Sequence, residues 1–150
     1  MRKLKSRHAG PSESPGFLLW RVSNAWQRAI RAALAPHGLT HAQFVLLAAT
    51  GWASANQDAP LTQRLLSDVT GVDAMTTSQV VRTLEKAGLV ERTDHATDTR
   101  AYALRTTDLG NARVQAALEA VEEADERFFA PLARAGAREM VWQMRKLLGL

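Results

Sequence analysis

The chain is predicted to be mainly α-helical with one small β-hairpin, and three observations carry that expectation. Apolar residues recur at spacings of three and four over most of the 150 residues, which is the period of amphipathic helices. One short stretch, residues 89–105, instead alternates apolar and polar side chains as a half-buried hairpin does. Caps punctuate the pattern: Thr62 and Asp73 stand before apolar runs, and Gly71 and Gly88 stand after them.

In chain order, residues 1–14 read as a flexible basic tail, in which Arg2, Lys3, Lys5 and Arg7 match the whole formal net charge of +4. It serves either as a solvated end or as an arm that adds nonspecific phosphate contacts. Residues 16–35 form a helix with Leu19, Val22, Trp26, Ile30, Ala33 and Leu34 at its apolar positions, ended by Pro36-His37-Gly38. Thr40 caps a second helix carrying Phe44, Leu47, Ala48 and Trp52, and residues 53–60 read as a polar loop.

The next helix begins at Thr62, shows Leu65, Leu66 and Val69 on one face, and stops at Gly71, which takes positive φ without steric cost. Asp73 restarts a helix that runs to Gly88, with Val80, Val81, Leu84 and Ala87 as its buried stripe. Two helices joined by a short glycine-containing turn make a helix-turn-helix. An α-helix fits the major groove of duplex DNA, where hydroxyl, amide and guanidinium groups bond base edges or phosphates. The candidate DNA-contacting residues of this helix are Thr76, Thr77, Ser78, Gln79, Arg82 and Thr83.

Residues 89–92 then read as a strand, 93–99 as a polar loop and 100–105 as a returning strand, so a hairpin follows the helix-turn-helix as a wing. Arg100 at its tip suits a narrow minor groove, where the negative field is strongest, and Asp98 is placed to orient it. From Thr107 a long helix carries Val114, Leu118, Val121, Phe128 and Leu132, opposite an acidic face of Glu119, Glu122, Glu123, Asp125 and Glu126. Pro131 kinks or ends it, and residues 136–148 form a last helix with Met140, Val141, Met144, Leu147 and Leu148.

The fold expected is therefore a single domain over residues 15–150. A winged helix-turn-helix spans about 40–106, with N- and C-terminal dimerisation helices at about 15–36 and 107–148. A compact winged unit cannot cover so long an apolar stripe alone, so a second copy is expected to supply the missing surface, the alternative being that the first, long and last helices pack on one another within the chain. A two-fold homodimer sets two recognition helices on half-sites about one turn of DNA apart.

Three segments together resemble the MarR family of winged-helix transcription regulators. They are Val72-Asp73, then Leu84-Glu85-Lys86-Ala87-Gly88-Leu89-Val90-Glu91-Arg92, and finally Asp98-Thr99-Arg100-Ala101-Tyr102-Ala103-Leu104. The last is the family's Asp-x-Arg-x-x-x-Leu pattern, and residues 107–110 resemble the Thr-x-x-Gly that opens its next long helix. The resemblance implies the same dimer, and a small phenolic or other aromatic effector bound between the dimerisation helices and the winged unit. That cleft would draw on Trp20, Asn24, Trp26, Phe44 and Trp52, the alternative for each tryptophan being a place in the core of its amphipathic helix. Many relatives carry arginine where this chain has Gln79, Thr83 and Thr99, so fewer positive groups are aimed at DNA here.

The expected function is a sequence-specific, double-stranded DNA-binding regulator, a ligand-responsive repressor acting as a homodimer on a pseudo-palindromic operator. A winged-helix protein-interaction module and a nonspecific architectural DNA binder are the alternatives. Residues 72–106 hold five basic and five acidic side chains, so the placement of the arginines, and not bulk charge, carries the DNA reading. With no cysteine, disulfides and thiolate metal sites are excluded. His37 and His41 lack a nearby carboxylate to complete a metal set, so no metal or other cofactor is expected. No glycine-rich phosphate loop or nucleophile turn points to an enzyme. The absence of a run of about 18 apolar residues, and of a signal-peptide core, gives a cytoplasmic protein as the expectation, without a membrane partner.

Overall fold

The caps read from the sequence are hydrogen bonds in the computed structural model of the chain, which describes residues 5–56, 61–94 and 102–150. Ser14, a cap not read from the sequence, opens α1 (Pro15–Leu34) by accepting from the Phe17 N–H. Before α2 (His41–Asn56), Gln43 N–H donates to Thr40 Oγ1 at 3.2 Å while Thr40 N–H donates to Gln43 Oε1 at 2.8 Å, a reciprocal capping box. Thr62 caps α3 (Gln63–Thr70) through Leu65 N–H, and Asp73 caps α4 (Ala74–Lys86) through Thr76 N–H. Thr107 caps α5 (Asp108–Phe129) through Gly110 N–H. Each such cap is worth about 1 kcal/mol. Between α4 and α5, β1 (Val90–Asp94) pairs antiparallel with β2 (Tyr102–Thr106), Val90 facing Thr106 and Asp94 facing Tyr102.

The core gathers where the helices cross. Ile30 and Leu34 of α1 meet Leu46 and Leu47 of α2, all fully buried. Leu66, Val81 and Leu84 close the helix-turn-helix over Leu89, Val90 and Leu104 of the hairpin. Helix α5 contributes the small residues Ala117 and Ala124 with Val121, which lets α1 lie close along it. Tighter still is Gly110, where a Cβ would run into the Leu89 backbone, 2.9 Å from its carbonyl carbon. Thr107 holds that crossing by donating its hydroxyl to Gly88 O at 2.7 Å and its N–H to Leu89 O at 3.1 Å.

Several local expectations are corrected. Helix α2 runs through Asn56, a turn into the expected polar loop 53–60, because Ala53 is core and Ser54 satisfies its hydroxyl on Thr50 O within the helix. On α3 only Leu66 is fully buried; Leu65 and Val69 are exposed. Ala87 is exposed as well, since the stripe of α4 passes through Thr77, Val81 and Leu84. Pro131 does end α5, in a 3-10 turn at Ala130–Leu132, and α6 (Ala133–Leu147) begins earlier than the expected residue 136. Strand β1 extends to Asp94, past the expected end at residue 92. Unread in the sequence was a third edge on the wing: Leu104 N–H donates to Leu61 O at 2.8 Å, and Thr62 bridges Ala103.

Candidate nucleic-acid interface and effector cleft

The turn between α3 and α4 is fixed by glycine and by hydroxyls. Gly71 sits at φ +69°, and the Val72 carbonyl just beyond it accepts from both Ser67 Oγ at 2.6 Å and Thr77 Oγ1 at 3.2 Å. A side chain from each helix thus grips one carbonyl, which sets their crossing. The Asp73 carboxyl, accepting the Thr76 N–H and then its side chain, is held below the ordinary carboxylate range and stays ionised as the cap of α4.

From that start the helix sorts its residues by angle. Thr77, Val81 and Leu84 turn inward, while Met75, Gln79, Arg82, Thr83 and Lys86 are exposed, with Thr76 and Ser78 half-buried at the flanks. Among the six candidates on this helix, Thr77 is the one corrected: it is 0% exposed and its hydroxyl is spent on Val72 O, so it shapes the helix-turn-helix and does not face a ligand. Arg82 Nη2 donates to Ser78 Oγ at 3.0 Å, holding the guanidinium along the outer face. Thr83 donates its hydroxyl to Gln79 O at 3.0 Å, and both residues are exposed. Sequence reasoning passed over Met75, at 73% exposure. Its signal was its spacing from Val81 and Leu84, which turns it to the far side of the helix.

The wing is tied to the end of α4. Arg92 Nε of β1 meets Glu85 Oε1 at 2.9 Å, both side chains less than one-third exposed, and the guanidinium lies 5.8 Å from the ring centroid of Tyr102 on β2. Asp98 and Arg100 lie outside the described residues.

The five residues expected to share an effector cleft are not brought together. Phe44 is a core residue, 7% exposed. Trp26 is half-buried at a joint of three helices: its Nε1–H donates to Asp125 Oδ1 of α5 at 2.7 Å, and its ring packs edge-on against His41 of α2 at 5.1 Å. Burial, and then the positive charge of Arg31, push the His41 pKa down against the opposing pull of Asp125. Trp20 lies six residues from Trp26, about 120° around α1. With Asn24, which donates to Trp20 O, it lines an open depression beside Arg21, Arg28 and Phe128. Trp52 lines a separate cleft of about 500 Å³ between α2 and α5, with Gly51, Asn111, Val114, Gln115 and Leu118.

Among the described residues, no three His, Asp or Glu side chains are grouped so as to hold a metal ion. No described helix is long and apolar enough to cross a membrane.

Comparison with known proteins bears on these surfaces. A sequence model of the MarR family matches residues 37–101. The chain is 44% identical to the HTH-type transcriptional regulator YdcH of Bacillus subtilis over 125 residues, 83% of this chain and 84% of that one. It is 32% identical to the HTH-type transcriptional repressor Rv2887 of Mycobacterium tuberculosis, over 88% of this chain and 91% of that one. The structure of Rv2887 in complex with salicylic acid superposes with a TM-score of 0.68, covering 89% of this chain and 96% of that one. CouR of Rhodococcus jostii, solved with p-coumaroyl-CoA bound, superposes with a TM-score of 0.80 at 26% identity, over 93% and 95% of the two chains.

Proposed function

The chain belongs to the MarR family of helix-turn-helix transcription regulators, and on that premise we propose that it is a sequence-specific repressor of the cytoplasm. In this reading it binds a pseudo-palindromic operator as a homodimer and releases it when a small aromatic effector binds. The observation that carries the DNA reading is the outer face of α4, where Gln79, Arg82 and Thr83 are exposed, flanked by Thr76 and Ser78, on a helix whose crossing is locked through Val72. These residues read the major groove, while Arg100, oriented by Asp98, enters the adjacent minor groove.

Exposed apolar surface supports the dimer. Phe17, Leu18, Leu19 and Trp20 at the start of α1, and Val141, Trp142, Leu147 and Leu148 at the end of the chain, are each more than 40% exposed. Apolar surface that extensive marks an interaction site. The effector reading is supported by the two relatives solved with aromatic ligands and by the Trp52 cleft, whose volume suits a small molecule. The depression at Trp20 and Asn24 is a second place for an effector, beside the surface a partner copy covers. An effector that favours a different spacing of the two α4 helices shifts the population away from the DNA-competent form.

Selection of bound duplexes from a random library, at fixed salt, tests this. A two-fold-symmetric motif is expected, with Arg100→Ala weakening binding most at sites with narrow A·T-rich flanks. Gln79→Ala is expected to change base preference while leaving the salt slope near that of the parent. No enrichment would favour a nonspecific architectural binder or a protein-interaction module.

A further inference from the structure

Met75 is the most exposed large apolar side chain among the described residues of the helix-turn-helix and wing, at 73%. It sits in the first turn of α4, two residues after the Asp73 cap, and its place on the helix is informative. At about 100° per residue, Met75, Gln79, Arg82 and Lys86 fall within about 60° of one another, whereas Thr77 and Leu84 lie on the opposite side. Met75 is therefore centred on the outer face, and Thr76 and Ser78 are at its edges. In a helix laid in the major groove, the N-terminal residues are the ones that reach base edges.

The chemistry of the side chain narrows what it meets there. A thioether chain neither donates strongly nor carries charge, so it adds nothing at a phosphate or at a carbonyl or amino edge. The major groove offers one apolar group, the C5-methyl of thymine, and a flexible, polarisable chain packs on it well.

We propose that Met75 is a specificity-determining residue that reads a thymine methyl group in each half-site, beside the base pair read by Gln79. The inference rests on the DNA-binding reading above and adds to it the identity of one base. Residues i and i+4 are about 6 Å apart along the helix, so the thymine lies within about two base pairs of the Gln79 contact. Burial of one methyl group corresponds to about a fourfold change in affinity, and on the order of fifteenfold when both half-sites are changed.

Uracil scanning of the selected duplex tests this, because uracil differs from thymine only by that methyl. The full chain, Met75→Ala and Thr76→Ser are titrated against duplexes carrying uracil at one symmetric pair of positions at a time. Alanine is a good helix former and Met75 is 73% exposed, so the variant is expected to fold. The parent should lose on the order of fifteenfold at one pair of positions, and Met75→Ala should bind the thymine and uracil duplexes there equally. Thr76→Ser should keep the parent's uracil response. Loss of the response in Thr76→Ser alone would assign the methyl contact to Thr76 and overturn the proposal. A parent insensitive to uracil at every position, or equal responses in the parent and Met75→Ala, would also overturn it. A parent that selects no duplex at all would instead remove the DNA reading, and this proposal with it.

Discussion

Gly110 is where one atom decides a helix crossing. Its missing Cβ lets α5 pass over the Leu89 backbone, with Thr107 clamping the same carbonyls, so Gly110→Ala forces two backbones apart. A loss of about 2–4 kcal/mol in urea denaturation is expected, at or above the upper end for overpacking. Gly51 is the contrast: a Cβ there would meet only ordinary neighbours at 3.6 Å or more, so Gly51→Ala should stabilise α2 by about 0.5–1 kcal/mol. The sequence marks Gly110 through the Thr-x-x-Gly of residues 107–110 and leaves Gly51 unmarked, but the reason for the difference lies in what crosses over each. Thr77 was misread for a related reason. A threonine is as suited to a groove as to a core with an acceptor, and only the Val72 carbonyl, brought round by the Gly71 turn, shows which applies. That Gln79 and Arg82 are exposed was legible because the stripe at Val81 and Leu84 fixes the opposite face.

At the scale of elements, the wing is braced against the recognition helix by Arg92 and Glu85. An ion pair of this exposure contributes about 1 kcal/mol or less to stability. Arg92→Glu should therefore leave the folded state largely intact while loosening the wing, with operator affinity falling severalfold. Exchanging the two charges, Glu85→Arg with Arg92→Glu, should restore much of it. Both residues lie in the segment that first suggested the family, yet a salt bridge across seven positions needs the hairpin's register to be seen. The joint of α1, α2 and α5 makes a second prediction. Burial and Arg31 depress the His41 pKa in the folded chain, so below the ordinary value of 6.5 the unfolded chain takes up the proton first. The contribution of His41 is present above that pH and is lost as pH falls through the folded value. Urea midpoints at pH 7.5 and 5.5 should separate more for the parent than for His41→Gln. Caps made the element starts readable; ends such as that of α2, decided by a buried alanine, were not.

For the whole molecule, the dimer expectation came from a stripe on α5 too long to cover. The structure covers that stripe only in part: Val121 is buried with the small residues Ala117 and Ala124, where α1 lies along α5, while Val114, Leu118 and Phe128 are half-buried and Leu132 is exposed. What remains exposed is the start of α1 and the length of α6, where every residue from Val141 to Leu150 is in solvent. Val141→Glu together with Leu147→Glu should yield a monomer in sedimentation with the winged unit still folded. Operator affinity should fall toward the nonspecific level, since one recognition helix then acts alone. The most direct test of a two-fold reader is the spacing of its half-sites. Titrating the selected duplex against one with five base pairs inserted at its centre moves one half-site to the opposite face of the DNA. A loss of about two orders of magnitude or more at fixed salt is expected. Affinity unchanged by the insertion would contradict a two-fold reader, because a dimer with its two α4 helices held about one turn apart cannot follow both half-sites.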